Sequence, residues 1–340
     1  MKMKKILVVL LSIALSCTAL FSAGCGIQTV DPNAKKKIVV AMPDGAPVLS
    51  VYELLKSVDK LDGHSVEYKI VAGAQEISLG VAKGEVDVAV IPTNVAAKFY
   101  NAGTDIKLLS VNVFGCLYLV GKGDLTNGLN DLKGKVLTVI GQGASPDITI
   151  KLILDRNGIP YEESTEPIDG KVALRYVSQG PDAVALLAND GTDYAVLGEP
   201  VATNATKKLA AKGVRILLDL QSVWNDLLGE SDCFTQAGVV VAKSIYNDNG
   251  LIEALLQKLE SNYEYLISDI ANVQETLTEN GSALTAAFSK ELIDRCNLKC
   301  EKAIDVKGKL EKYFNAVKAY DETFIGGKLP DDGFYWSKAA

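Results

Sequence analysis

The segment Gln142-Gly143-Ala144-Ser145 has more capacity for ligand chemistry than any other in the chain. It follows the apolar run Val136–Ile140 and precedes Pro146. Its backbone N–H groups would therefore stand at a helix start, where they attract an acceptor or an anion, and the glycine lets a ligand approach closely. The same residues also suit a plain strand-to-helix turn with Ser145 as N-cap. Asp44-Gly45-Ala46 repeats the arrangement after Ile38–Met42; Asp44 either accepts from a ligand amine or hydroxyl or caps the helix that opens near Pro47. Thr93 and Asn94 follow Val86–Ile91 and Pro92, with side chains that can donate to a ligand or cap a helix. Glu199, beside Pro200, holds the corresponding place in the second half; its alternative is an exposed first-turn glutamate favoured by the helix dipole. Trp224 interrupts the polar run Gln221–Asp226 and either walls a cleft or anchors a loop.

Catalytic chemistry finds little to work with. His64 is the single histidine and follows Asp62-Gly63 at the start of a strand pattern, where a surface position is expected. No G-x-S-x-G elbow, phosphate-binding loop or zinc signature occurs. Cys116, Cys233, Cys296 and Cys300 lack the paired spacing of a zinc site. Cys296 and Cys300 flank a short turn and suit either a disulfide or two free thiols. No cofactor, no metal and no enzymatic activity are expected.

These loops need strands and helices to position them. Short β-branched runs alternate with longer helical patterns, which argues for an α/β protein with parallel strands joined by crossover helices. The strand candidates are Ile38–Met42, Val66–Val71, Val86–Ile91, Ile106–Val113, Val136–Ile140, Val172–Val177, Tyr194–Leu197 and Val214–Leu220. Lys37–Pro47 parallels Lys135–Pro146, and Asp87–Ala96 parallels Asp193–Ala202, the latter pair following helices opened by Gly73 and Gly180. Each half thus reads as the same βαβ unit. Two such lobes would surround one cleft with the carboxyl ends of their strands. Phe114–Gly123 would carry the chain out of the first lobe, and Phe234–Ser244 would return it. Leu251–Ile270, Lys290–Arg295 and Ala303–Thr323 read as helices bracing the hinge, and Phe334-Tyr335-Trp336 as an aromatic pin for the tail.

Lys2, Lys4 and Lys5, the apolar run Ile6–Leu20 and Phe21–Gly24 before Cys25 form an export signal, with an apolar stretch too short to span a bilayer. The segment resembles a bacterial lipoprotein lipobox, although Ser22 stands where an aliphatic residue is usual. The resemblance implies acyl chains such as palmitate on Cys25; plain secretion is the alternative. Removing residues 1–24 takes three lysines away and moves the formal charge from −7 to −10. An acidic chain with four arginines is a poor partner for nucleic acid.

Gly84-Glu85-Val86-Asp87-Val88-Ala89-Val90, Leu132-Lys133-Gly134-Lys135 and Leu197-Gly198-Glu199-Pro200, in that order and spacing, resemble the solute-binding proteins of the nitrate, sulfonate, taurine and thiamine-precursor ABC importers. The resemblance implies a two-lobed periplasmic-binding-protein fold of type II, each lobe a mostly parallel sheet flanked by helices, joined by two crossover strands. The expected division is a signal peptide over 1–24, a lipid-anchored tether over 25–36, lobe 1 over 37–118 and 238–340, and lobe 2 over 119–237. The resemblance adds Gly115, Leu117 and Tyr118, just before the first crossover, as contacts, and matches Glu199 to the family's Glu-Pro position. A eukaryotic pyrimidine synthase shares this fold but carries a cysteine cluster and several histidines that this chain lacks. The expectation is a monomeric lipoprotein on the outer face of the cell membrane, touching the membrane through its lipid only. It would capture a small organic solute, an aminosulfonate, pyrimidine or similar, and deliver it to an ABC permease; a sensor presenting its closed form to a receptor is the alternative. With Asp44 and Glu199 bringing negative charge to the cleft, a neutral or zwitterionic solute is expected over nitrate or sulfate.

Overall fold

The computed structural model describes residues 37–71, 74–229 and 234–338. The signal segment, Cys25, the tether, Gly73 and Cys233 lie outside the described residues. The strands are β1 Ile38–Pro43, β2 Lys60–Leu61, β3 His64–Val71, β4 Val88–Pro92, β5 Ile106–Phe114, β6 Leu117–Lys122, β7 Val136–Ile140, β8 Tyr161–Glu163, β9 Val172–Val177, β10 Tyr194–Gly198, β11 Val214–Asp219, β12 Thr235–Ala242 and β13 Leu298–Lys302. They form a sheet of order β13-β5-β12-β4-β1-β3-β2 and a second of order β11-β6-β10-β7-β9-β8.

Each sheet has a parallel centre, β4-β1-β3 in one and β10-β7-β9-β8 in the other. Antiparallel strands are added where the chain crosses between sheets: β12 lies between β4 and β5, and β6 between β10 and β11. The two parallel centres are the duplicated unit. Val40 pairs with Val88 in the first, and Leu137 with Tyr194 in the second. The repeated aspartate does the same work in both. Asp87 Oδ2 accepts the Val39 N–H at 3.0 Å, and Asp193 Oδ2 accepts the Val136 N–H at 3.0 Å. A carboxylate one residue ahead of each of these strands therefore satisfies a backbone donor near the start of its neighbour.

Alternation and apolar runs placed the central strands because both faces of these strands are covered by helices and must be apolar. β8 and β13 escaped that reading: they are short edge strands with mostly exposed or half-exposed residues. The first crossover is shorter than expected, since β5 ends at Phe114 and β6 already belongs to the second sheet from Leu117. Helices Asn249–Ser268 and Lys290–Arg295 pack against the first sheet, and Lys307–Tyr320 follows β13. The tail is pinned as expected. Trp336 N–H donates to Leu108 O at 2.8 Å and its Nε1 to Tyr246 O at 2.9 Å, with Phe334 and Tyr335 buried beside it. Among the described residues no helix is long and apolar enough to cross a membrane.

Candidate functional site

The loops that leave the carboxyl ends of β4 and β7 meet. Pro92 ends β4 and Thr93 opens the helix Thr93–Asn101 at once, so Asn94 stands in the first turn. Ser145 opens the helix Ser145–Arg156, with Pro146 in its first turn. Both side chains are buried. The Ser145 hydroxyl lies 3.2 Å from Asn94 Oδ1 and 3.1 Å from the Gln236 carbonyl, and donates its proton to one of them. Asn94 Nδ2 reaches the Gly143 carbonyl at 3.4 Å. A hydrogen-bonded path continues through both crossovers. Gln236 Oε1 accepts the Cys116 N–H at 3.0 Å, and the Cys116 carbonyl accepts the Glu199 N–H at 3.0 Å. Thr93 donates to the Thr235 carbonyl at 2.5 Å.

An aromatic wall closes one side of this junction. Trp224, from the helix Leu220–Leu228, has its ring centroid 5.2 Å from Phe234 and 5.6 Å from Tyr313, which comes from the helix Lys307–Tyr320. Burial pushes the Tyr313 hydroxyl up to about 12, so it stays a donor at any ordinary pH, and it stands beside Ser145. Phe324 donates no side-chain polarity but its carbonyl accepts from Asn94 Nδ2 at 3.4 Å, and its ring borders Gly143. Gly115 bends the first crossover with φ +62, and a side chain there would overlap Gln221 and Phe234; only glycine fits. Trp224 Nε1, Gln221 Oε1 and Thr235 Oγ1 are buried without a hydrogen-bond partner among the described residues. Buried polar atoms are nearly always paired in native proteins, which makes these atoms candidates for pairing with a ligand or water.

Other residues singled out from the sequence are placed differently. Gln142 is exposed and its amide donates to Glu163 at 3.0 Å, away from Asn94. Gly143 N–H, the donor expected to meet a ligand, donates instead to Asp147 Oδ2 at 2.8 Å. Asp147 is fully buried, paired with Lys151 at 3.0 Å, and accepts from Tyr176 at 2.8 Å. An internal carboxylate therefore serves the loop that an anion would have used. The neighbouring N-cap residue Ala144 has no side-chain cap.

Asp44 accepts the Ala283 N–H at 2.9 Å and the Ser282 hydroxyl. It neither caps its helix, where Gly45 is the N-cap with φ 104 and Ala46 is buried, nor presents a free carboxylate. Glu199 is buried rather than exposed. Its Oε1 accepts from Arg295 Nε at 2.9 Å and from the Thr203 hydroxyl at 2.6 Å, and its Oε2 accepts the Thr203 N–H at 3.1 Å. Tyr118 donates to the Arg295 carbonyl at 3.4 Å, and burial raises its hydroxyl well above the ordinary tyrosine range. Leu117 is buried in β6. Arg295, Tyr118 and Glu199 thus form a clasp between the second sheet and the helix Lys290–Arg295. His64 is 9% exposed, not a surface residue, because the β2–β3 hairpin folds it inward.

Gln236, Tyr313 and Phe324 carry no local pattern that marks them as site residues; they arrive from late in the chain. Cys116, Cys296 and Cys300 are free thiols. Burial pushes Cys116 up to about 12 and Cys300 to about 11, so neither supplies a thiolate nucleophile at neutral pH.

No protein-family model and no curated protein matches the chain by sequence. Solved structures do match. An ABC transporter structure from Parabacteroides distasonis aligns with TM-score 0.71 and 25% identity over 90% of this chain and 100% of that one. The periplasmic aliphatic sulphonate binding protein of Escherichia coli aligns with TM-score 0.64 and 14% identity over 90% of this chain and 93% of its own. An alkanesulfonate-binding protein from Xanthomonas axonopodis, bound to MOPS, aligns with TM-score 0.58 and 13% identity over 88% and 96%. These neighbours share the fold described above, two mostly parallel sheets flanked by helices.

Proposed function

We propose that the protein captures a small organic solute where its two lobes meet and delivers it to an ABC permease, working outside the cytoplasm. The observation that carries this reading is the junction itself. Asn94 of one lobe bonds Ser145 and Gly143 of the other, beside the buried Trp224 Nε1, Gln221 Oε1 and Thr235 Oγ1, which have no hydrogen-bond partner among the described residues. A ligand that pairs these atoms and touches both lobes favours the closed arrangement.

The solute's chemistry follows from what lines the junction. Amide, hydroxyl and indole groups dominate, while Asp147 is neutralised by Lys151, and Asp44 and Glu199 are engaged elsewhere. Uncharged donors and acceptors suit a neutral or zwitterionic organic solute, such as an aminosulfonate or a pyrimidine, over a bare inorganic anion. A panel of such solutes should include at least one that raises the melting temperature by binding the folded state. Asn94→Ala and Ser145→Ala should each weaken that solute by about tenfold to hundredfold, the cost of one or two lost buried hydrogen bonds. Tight calorimetric binding of nitrate or sulfate, or affinity unchanged in both variants, contradicts the proposal.

The lipid anchor at Cys25 belongs to the same proposal. A single acyl chain holds a protein weakly, so more than one is required. Cys25→Ala should shed the protein into the medium; wild-type protein recovered soluble with a different N-terminus argues against the anchor.

A further inference from the structure

At the end of the first sheet away from this junction, the Asp62-Gly63 turn brings two carboxylates and the one imidazole together. One ligand atom from each of Asp62, His64 and Asp248 lies within 4.8 Å of the other two. His64 Nε2 and Asp248 Oδ2 are 3.6 Å apart, too far for a hydrogen bond. That spacing is close to the roughly 3.3 Å between two ligands of a tetrahedral zinc ion with bonds of about 2.0 Å.

The surrounding structure fixes each member. Leu61 pairs with His64 across the β2–β3 hairpin, and His64 is 9% exposed, so its backbone is held in the hairpin and its side chain is buried. Asp62 adopts φ +46, a left-handed conformation that aspartate tolerates better than most residues. Asp248 caps the helix Asn249–Ser268 through Oδ1, which accepts the Leu251 N–H at 3.1 Å; Oδ2 is thereby turned toward His64. Gly250 leaves the space open, since a Cβ there would come within 3.3 Å of Asp62 Oδ2 and 3.7 Å of Asp248 Oδ1.

We propose that Asp62, His64 and Asp248 form a binding site for a divalent transition-metal cation of the zinc type. Two carboxylates offset the ion's charge, and the imidazole favours zinc-like ions over calcium or magnesium, which prefer oxygen. Asp62 is exposed, so water completes the coordination. β3 has 8 residues and at about 3.3 Å each puts this site some 20 Å or more from the junction. The ion would tie the β2–β3 hairpin to the start of the long helix.

Calorimetric titration of the intact, chelator-treated protein with zinc chloride tests this. Wild type should bind one equivalent saturably and melt at a higher temperature with zinc present. His64→Gln and Asp62→Asn should each weaken binding by at least about tenfold, the lower end of what disturbing a metal's supporting shell costs. Asp62→Asn is isosteric and sits in an exposed turn, so it keeps the test decisive if His64→Gln fails to fold. Absence of saturable binding by wild type, or affinity unchanged in the variants, overturns the site.

Discussion

Trp224→Ala is expected to lower the free energy of unfolding by about 3–5 kcal/mol, the range for removing a large aromatic side chain from a packed core. Trp224 is fully buried, and its ring contacts join a helix of the second lobe to Phe234 on the returning crossover and to Tyr313 of the helix Lys307–Tyr320. Deleting it therefore opens a cavity between these elements, leaving Phe234 and Tyr313, whose ring centroids are 5.9 Å apart, in contact without it. Trp224→Phe separates packing from recognition. It keeps a ring in place and should cost stability about 1–2 kcal/mol, while removing the Nε1–H that is buried without a partner. If a solute accepts from that N–H, Trp224→Phe should weaken it roughly tenfold. Chemical denaturation and calorimetry on the two variants check both parts; equal solute affinity in wild type and Trp224→Phe would remove the indole from the site.

Arg295→Ala should destabilise the protein by about 2–3 kcal/mol, somewhat less than breaking a pair buried on both sides. The Glu199 side chain is fully buried, whereas the Arg295 side chain is 41% exposed, so water softens the loss on one side only. The variant leaves Glu199 with the two Thr203 donors and no cation. Pairing it with Glu199→Gln should recover part of the loss, because an amide in the same place carries no charge to desolvate. A double-mutant cycle measured by urea denaturation gives the coupling directly; strictly additive effects would show that the clasp contributes nothing as a pair.

The fold was legible in the sequence because its signals are local. Buried parallel strands must be apolar on both faces, so Val136–Ile140 and Val172–Val177 appear in the structure with the bounds their composition suggests. The repeated Asp87 and Asp193 were visible as an echo, and the shared reason is a carboxylate that clips the neighbouring strand. The site was legible only in outline. Loop positions such as Thr93, Asn94 and Ser145 follow from strand ends, and these three are brought together. What each polar group bonds is set by partners far along the chain. Asp44 meets Ser282 and Ala283, Glu199 meets Arg295, and Asn94 meets the Phe324 carbonyl; no period or spacing near those residues reports such partners. Asp147 is the instructive case. An acidic residue in a first helical turn reads as ordinary dipole compensation, yet folded it takes the Gly143 N–H that a ligand was expected to use.

The account's central claim is that one solute is held by both lobes at once, and hydrogen exchange of the protein with and without a stabilising solute tests it most directly. Protection should rise together in Thr93–Asn94, in Gly143–Ser145 and in Thr235–Gln236, since these segments from the two lobes and the returning crossover meet at the junction. Protection confined to a single lobe, or appearing away from these three segments, would contradict the claim.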